Sequence, residues 1–92
     1  MGNYRLREEA ENDLIRIHQR GVRDHGEAQA DTYYEAFFDR FEQLAEQPHL
    51  YQAVEHIQAG YRRSVCGKHS IYYRIDRKGV EIILGREDPM NM

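Results

Sequence analysis

The apolar positions change period several times along the chain, and each change marks an element. Tyr4 and Leu6 alternate with polar neighbours, which predicts a short strand over Asn3–Leu6. From Arg7 the period lengthens. Ala10, Leu14, Ile17 and Gly21 fall four, three and four apart, one stripe of a helix. Glu8 and Glu9 sit in its first turn, where the helix dipole favours anions. Arg7 occupies the cap position, where Ser, Thr or Asp would bond the free N–H groups better. This helix is expected to fade between Gly21 and Gly26. A second stripe of Ala30, Tyr34, Phe37, Phe38, Phe41, Leu44 and Ala45 repeats every three or four residues and ends before Pro48. Gly26 between the stripes reads as the joint of a helical hairpin.

Residues 46–60 show no period and read as a loop, with a short helical turn near Val54–Ile57. Alternation then returns in three predicted strands: Tyr61–Cys66, His69–Ile75 and Val80–Leu84. Gly67-Lys68 and Asp76-Arg77-Lys78-Gly79 supply the tight turns. Val80–Leu84 is almost wholly apolar, which places it centrally in the sheet. The predicted fold is α+β in the order β-α-α-β-β-β, with the helical hairpin packed on one face of a small antiparallel sheet. The whole chain, 1–92, reads as one domain.

Composition narrows the function. A chain of 92 residues buries only about 60–65% of its unfolded surface, so stability is modest. The formal net charge is −3 and the pI is near 5.9. That argues against a protein that coats nucleic acid, and no direct sequence-specific nucleic-acid binding is expected. The charge is uneven, however. Residues 61–79 carry Arg62, Arg63, Lys68, Arg74, Arg77 and Lys78 against Asp76 alone. This predicts a basic patch on an acidic molecule, with Arg62, Arg63 and Arg74 on the outer face of the sheet. The single cysteine, Cys66, leaves no internal disulfide and fits a reducing cytoplasm. No signal peptide or membrane-spanning run is expected. Leu6 stands where a myristoylation motif would need Ser or Thr.

The same basic stretch holds the residue types of a metal-free ribonuclease: a base, a cation for the phosphorane and an acid for the leaving oxygen. The candidates are His69, Arg62, Arg63, Arg74, Arg86 and Tyr72. Neighbours on a strand point to opposite faces, so Arg62 and Arg63 cannot act together. His69 opens a strand beside a turn, where a bond to the backbone is the simpler role. The five histidines offer no metal set: His18 and His25 lie seven apart without a convincing third ligand. No cofactor is expected. Phe37, Phe38 and Phe41 read as core. Of the adjacent pair Tyr33 and Tyr34, one is expected to face outward.

The order of elements, with Gly60 to Arg63, Gly67 to His69, Tyr72 to Arg74 and Val80 to Ile83, resembles the ParE toxins of the RelE/ParE superfamily. That family shows a Gly-Tyr-Arg-Arg strand, a Gly-x-His turn, a Phe/Tyr-Tyr-Arg strand and a Val-Glu-Ile-Ile strand. The opening Tyr4 to Leu14 and the stretch Leu44 to Leu50 resemble the family as well. The end departs from it. Gly85, Arg86, Glu87 and Asp88 stand where a His and a Met-Asp pair are common, and "GRE" leans toward the RelE-like nuclease branch. Against that branch, Lys68-His69 replaces its Tyr-Arg pair and its terminal Tyr or His is missing.

The resemblance implies a toxin of a type II toxin–antitoxin system that blocks DNA gyrase by binding. A ParD-like antitoxin would neutralise it in a larger hetero-oligomer. Arg62, Arg63, His69, Tyr72, Arg74 and Arg86 become the candidate contacts for antitoxin or target, and no residue is assigned a catalytic role. The alternatives are a ribosome-dependent mRNA endonuclease using His69, Arg62, Arg86 and Tyr72, or an antitoxin-binding module that has lost toxicity.

Overall fold

The computed structural model describes residues 3–67 and 69–87, with backbone alone for residues 84–87. Its elements are β1 (Tyr4–Leu6), α1 (Glu8–His25), α2 (Glu27–Glu46), β2 (Tyr61–Cys66), β3 (His69–Asp76) and β4 (Gly79–Glu87). Lys68, one half of the expected Gly67-Lys68 turn, lies outside the described residues, as does Asp88.

The helices follow their stripes. Arg7 caps α1 with its backbone only, accepting the Glu11 N–H at 3.0 Å, and no side-chain cap forms. Acidic residues fill the first turn and Arg23 and His25 the last, both matched to the dipole. Gly26 is the whole joint. At φ 91° its N–H bonds to Val22 O, closing α1, and its carbonyl accepts from Ala30 N, opening α2. The helices cross closely because Gly21 faces Ala30: a Cβ at Gly21 would lie 3.2 Å from the alanine methyl.

The strands form one sheet in the order β1-β4-β3-β2. β4 is central, as its apolar run demands. β2, β3 and β4 make the expected antiparallel meander, but β1 pairs with β4 in parallel. The sheet is therefore mixed rather than antiparallel: the chain passes through both helices and the meander before its last strand returns beside β1. β4 also outruns its predicted end at Leu84. A bulge at Ile83, opposite Tyr72/Tyr73, lets the strand continue so that Gly85 to Glu87 pair with Ile71 to His69.

Alternation sorts the side chains into two layers. Ile71, Tyr73, Val80 and Ile82 meet Ala10, Leu14, Phe37, Phe41 and Leu44 under the helices. On the other face a smaller cluster joins Tyr72 and Ile83 to Val54 from the 47–60 loop. That loop holds the expected single helical turn, with Ile57 and Gln58 N–H donating to Val54 O. It also lines the outer edge of β2, through Val54 N to Tyr61 O and Arg63 N to Gln52 O. Much of the sheet's exposed edge is thereby paired.

On the outer face, Arg5 holds Asp76 through contacts of 2.5 and 3.3 Å, and this bond keeps the Asp76 carboxyl at about 2, below its usual 3.8. The folded-state value lies below the unfolded one. The pair therefore stabilises the fold fully above pH 3.8 and loses that contribution as pH falls through about 2. Asp76→Asn is expected to remove that part of the acid sensitivity. Urea denaturation at a series of pH values should then show a shallower decline for the variant than for the parent. Parallel declines would assign the acid loss to other carboxylates.

Candidate functional site

The structure disperses five of the six candidate residues over two faces; the Arg86 side chain lies outside the described part. Arg62 does not lie on the outer face. It shares the helix side of the sheet with its partner Tyr73, and its guanidinium donates to Tyr51 O at 2.6 Å. The reason is the strand period: Ser64 and Cys66, two and four residues on, face the helices, so Arg62 does too. Arg63 and Arg74 are on the outer face. Arg63 donates to the Ser70 hydroxyl at 3.0 Å and Arg74 to Glu81 at 2.6 Å.

His69 faces the helices and is buried, its ring against Phe37 and Tyr33. Its Nδ1 lies 2.6 Å from the Tyr33 hydroxyl, which donates to Cys66 O at 3.1 Å. Gly67 is a glycine because of this ring: at φ 62°, a Cβ there would sit 2.5 Å from Tyr33. Tyr72 is buried on the opposite face. Arg86 pairs through its backbone with Ser70, and its side chain lies outside the described part.

Among the described side chains the ribonuclease set is therefore not assembled. His69 and Tyr72 occupy opposite faces of β3. Arg62 shares the His69 face but lies four residues along β2 from Cys66, the partner of His69, or roughly 13 Å at strand rise. Cys66 is buried, and burial pushes its thiol up, which keeps it protonated and unreactive.

Within the basic stretch, Arg74 is matched by a carboxylate of the chain, Glu81, while Arg62 and Arg63 donate to neutral oxygens. Glu81 takes both Arg74 and Arg7, the latter at 3.4 Å, and Asp76 takes Arg5. These two arginine contacts hold the Glu81 carboxyl below its usual value against the opposing effect of burial, which is the largest single influence. Sequence charge counting missed this because Glu81 on β4 and Arg5 on β1 both lie outside the counted stretch.

What the sequence did not single out is a groove between the C-terminal half of α1 and the N-terminal half of α2. It holds about 470 Å³ and is mostly apolar, with Ile17, Gly21, Ala30, Tyr33 and Ala36 among its walls. Both stripes continue past the part of the hairpin that the sheet covers. Ala10, Leu14, Phe37 and Phe41 are buried against the strands, whereas the next turns outward face one another across the groove. His18, bonded to Asp31 at 2.7 Å and edge-on to Tyr34, ties the two helices together along it. Tyr33 and Tyr34 are both half-buried, one turned toward the β2–β3 hairpin and the other toward α1, so neither is the fully outward tyrosine expected. The clue was present in the stripe itself, which is longer than a sheet of this size can cover. A groove of this shape suits an amphipathic partner helix.

Comparison with known proteins agrees with this architecture. Residues 4–85 match the family described as the ParE toxin of the type II toxin-antitoxin system, parDE. Toxin ParE1 of Caulobacter vibrioides is 36% identical over 91 residues, covering 99% of this chain and 94% of that protein. The fold is similar to a solved chain of the chromosomal ParDE TA system from P. aeruginosa. The TM-score is 0.83 at 17% identity, over 95% of this chain and 96% of that one. Among the described residues no helix is long and apolar enough to cross a membrane. With the family match spanning most of its length and a full-length relative above 30% identity, the chain belongs to the ParE toxin family of type II toxin–antitoxin systems.

Proposed function

We propose that this protein inhibits DNA gyrase by binding it, without chemistry of its own, and that a ParD-like antitoxin in the cytoplasm holds it inactive. The family match over residues 4–85 is the observation that carries this reading. The separation of His69, Tyr72 and Arg62 favours it over an mRNA endonuclease. An antitoxin helix would lay its apolar face into the α1–α2 groove, with a larger hetero-oligomer built on that contact. Arg63 and Arg74 remain the candidate contacts on the open sheet face for antitoxin or target, and Arg86 keeps that role from sequence alone. His69, Tyr72 and Arg62 would act indirectly, by holding the strands that present them.

Controlled expression in a bacterial host tests the reading. Growth should stop with cleaved DNA accumulating on gyrase, and co-expression of the antitoxin should restore it. Arrest with intact DNA and degraded mRNA would replace this proposal with the nuclease reading. Normal growth, with antitoxin binding retained, would favour a module that has lost toxicity.

A further inference from the structure

Arg5, Arg7, Arg16, Arg20, Arg23 and Arg74 each lie within ion-pair distance of a carboxylate. Arg40 and Arg62 do not. Arg40 Nη1 donates to Ser64 Oγ at 2.7 Å and to Val65 O at 2.6 Å, and its guanidinium lies 5.6 Å from the Tyr51 ring centroid. Arg62 Nη1 donates to Tyr51 O at 2.6 Å. Both cations are thus gathered around Tyr51, where the C-terminal half of α2 meets β2. Both residues are half-exposed, and in each Nε and Nη2 make no bond to a described residue. None of these nitrogens is among the buried atoms that lack a partner, so the unused N–H groups stay open to solvent. Two guanidiniums around one residue repel, and no described carboxylate offsets them in a chain that is acidic as a whole.

We propose that Arg40 and Arg62 form a carboxylate-binding site that takes an Asp or Glu side chain of the antitoxin. This rests on the antitoxin reading above. Arg62 thereby has two roles: Nη1 holds the 47–60 loop to its strand, and the remaining nitrogens are offered outward. A guanidinium fork with free N–H groups matches the two oxygens of a carboxylate. The place fits a chain that leaves the α1–α2 groove. Ala36 is a wall of that groove and lies four residues before Arg40, on the same side of α2 and about 6 Å back along its axis. Exposed Asp39, Glu42 and Glu46 flank the site on α2. They repel an extended polyanion, whose backbone needs clustered cations, and leave room for a single carboxylate. An antitoxin with an uncharged or basic residue at this point would leave both cations unmatched and be discriminated against.

The test measures two quantities on the full-length toxin: its own stability in urea, and its affinity for the purified cognate ParD-like antitoxin at low and at high salt. Arg40→Gln and Arg62→Gln remove the charge and keep an amide that can still donate to the neutral oxygens. Each should weaken antitoxin binding about 10–100-fold at low salt, and the gap from the parent should narrow at high salt, where the pairing is screened. Arg40→Lys keeps the charge without the fork, covers the case in which glutamine disturbs the fold, and should fall between. Affinity unchanged in both glutamine variants would overturn the proposal. An equal loss of affinity at both salt concentrations, in step with a loss of free-toxin stability, would overturn it as well, by making the two arginines purely structural. Stabilisation of the parent but not the variants by inorganic phosphate, with parental antitoxin affinity throughout, would replace it with a small-anion site. If the parent toxin binds no ParD-like antitoxin, the antitoxin reading itself fails and takes the proposal with it, a result distinct from each of these.

Discussion

Phe41→Ala is expected to lower the unfolding free energy by about 3–5 kcal/mol. The ring is 0% exposed and sits where the two helices and the sheet meet. Tyr4 from β1 lies 5.6 Å away by ring centroid, Phe38 5.4 Å and Phe37 6.3 Å. Removing it takes away transfer energy and leaves a cavity whose walls are rigid strands and helices. Those walls can collapse only partly. For a small domain with modest total stability, such a loss approaches the whole of it. Urea denaturation with the midpoint and slope both recorded would measure the effect. A loss under about 1 kcal/mol would mean that the void refills, contrary to the packing described here.

The second large effect belongs to Gly79→Ala. Gly79 has φ 126°, a conformation that side chains rarely adopt, and an added Cβ would lie 2.3 Å from the Asn3 carbonyl oxygen. That oxygen accepts the Val80 N–H at 2.9 Å, the first rung joining β1 to β4. Alanine would therefore incur backbone strain and also push β1 off the sheet, for a combined loss of about 3 kcal/mol or more. Gly26→Ala is the informative control. Its φ of 91° is also strained, but nothing lies within 4 Å of its Cβ position. It should cost about 1–3 kcal/mol, from the backbone alone. Equal losses at the two sites would show that β1 moves aside freely and that the parallel rung contributes little.

The elements were legible because the helical stripes and the strand alternation are local signals. Phe37, Phe41 and Leu44 could be assigned to the core from spacing alone, and Gly26 to the joint from its place between stripes. The parallel pairing of β1 was not legible, since it depends on where the last strand returns after two helices and a meander. Neither was the continuation of β4 past Leu84, because Gly85, Arg86 and Glu87 are poor strand formers held in place by pairing with β3. The candidate site fared worse for the same reason. Arg74 looks like a free cation until Glu81 is seen opposite it. Charge and side-chain type can be read along the chain. Which charges face each other is decided by long-range pairing.

The most direct test of toxin action by binding uses purified components in two parallel reactions. In the first, the protein should inhibit DNA supercoiling by gyrase, and adding the ParD-like antitoxin should restore activity. In the second, translating ribosomes should keep their mRNA intact at the same toxin concentration. Cleaved mRNA together with unimpaired gyrase would contradict the reading and reassign the protein to RNA cleavage.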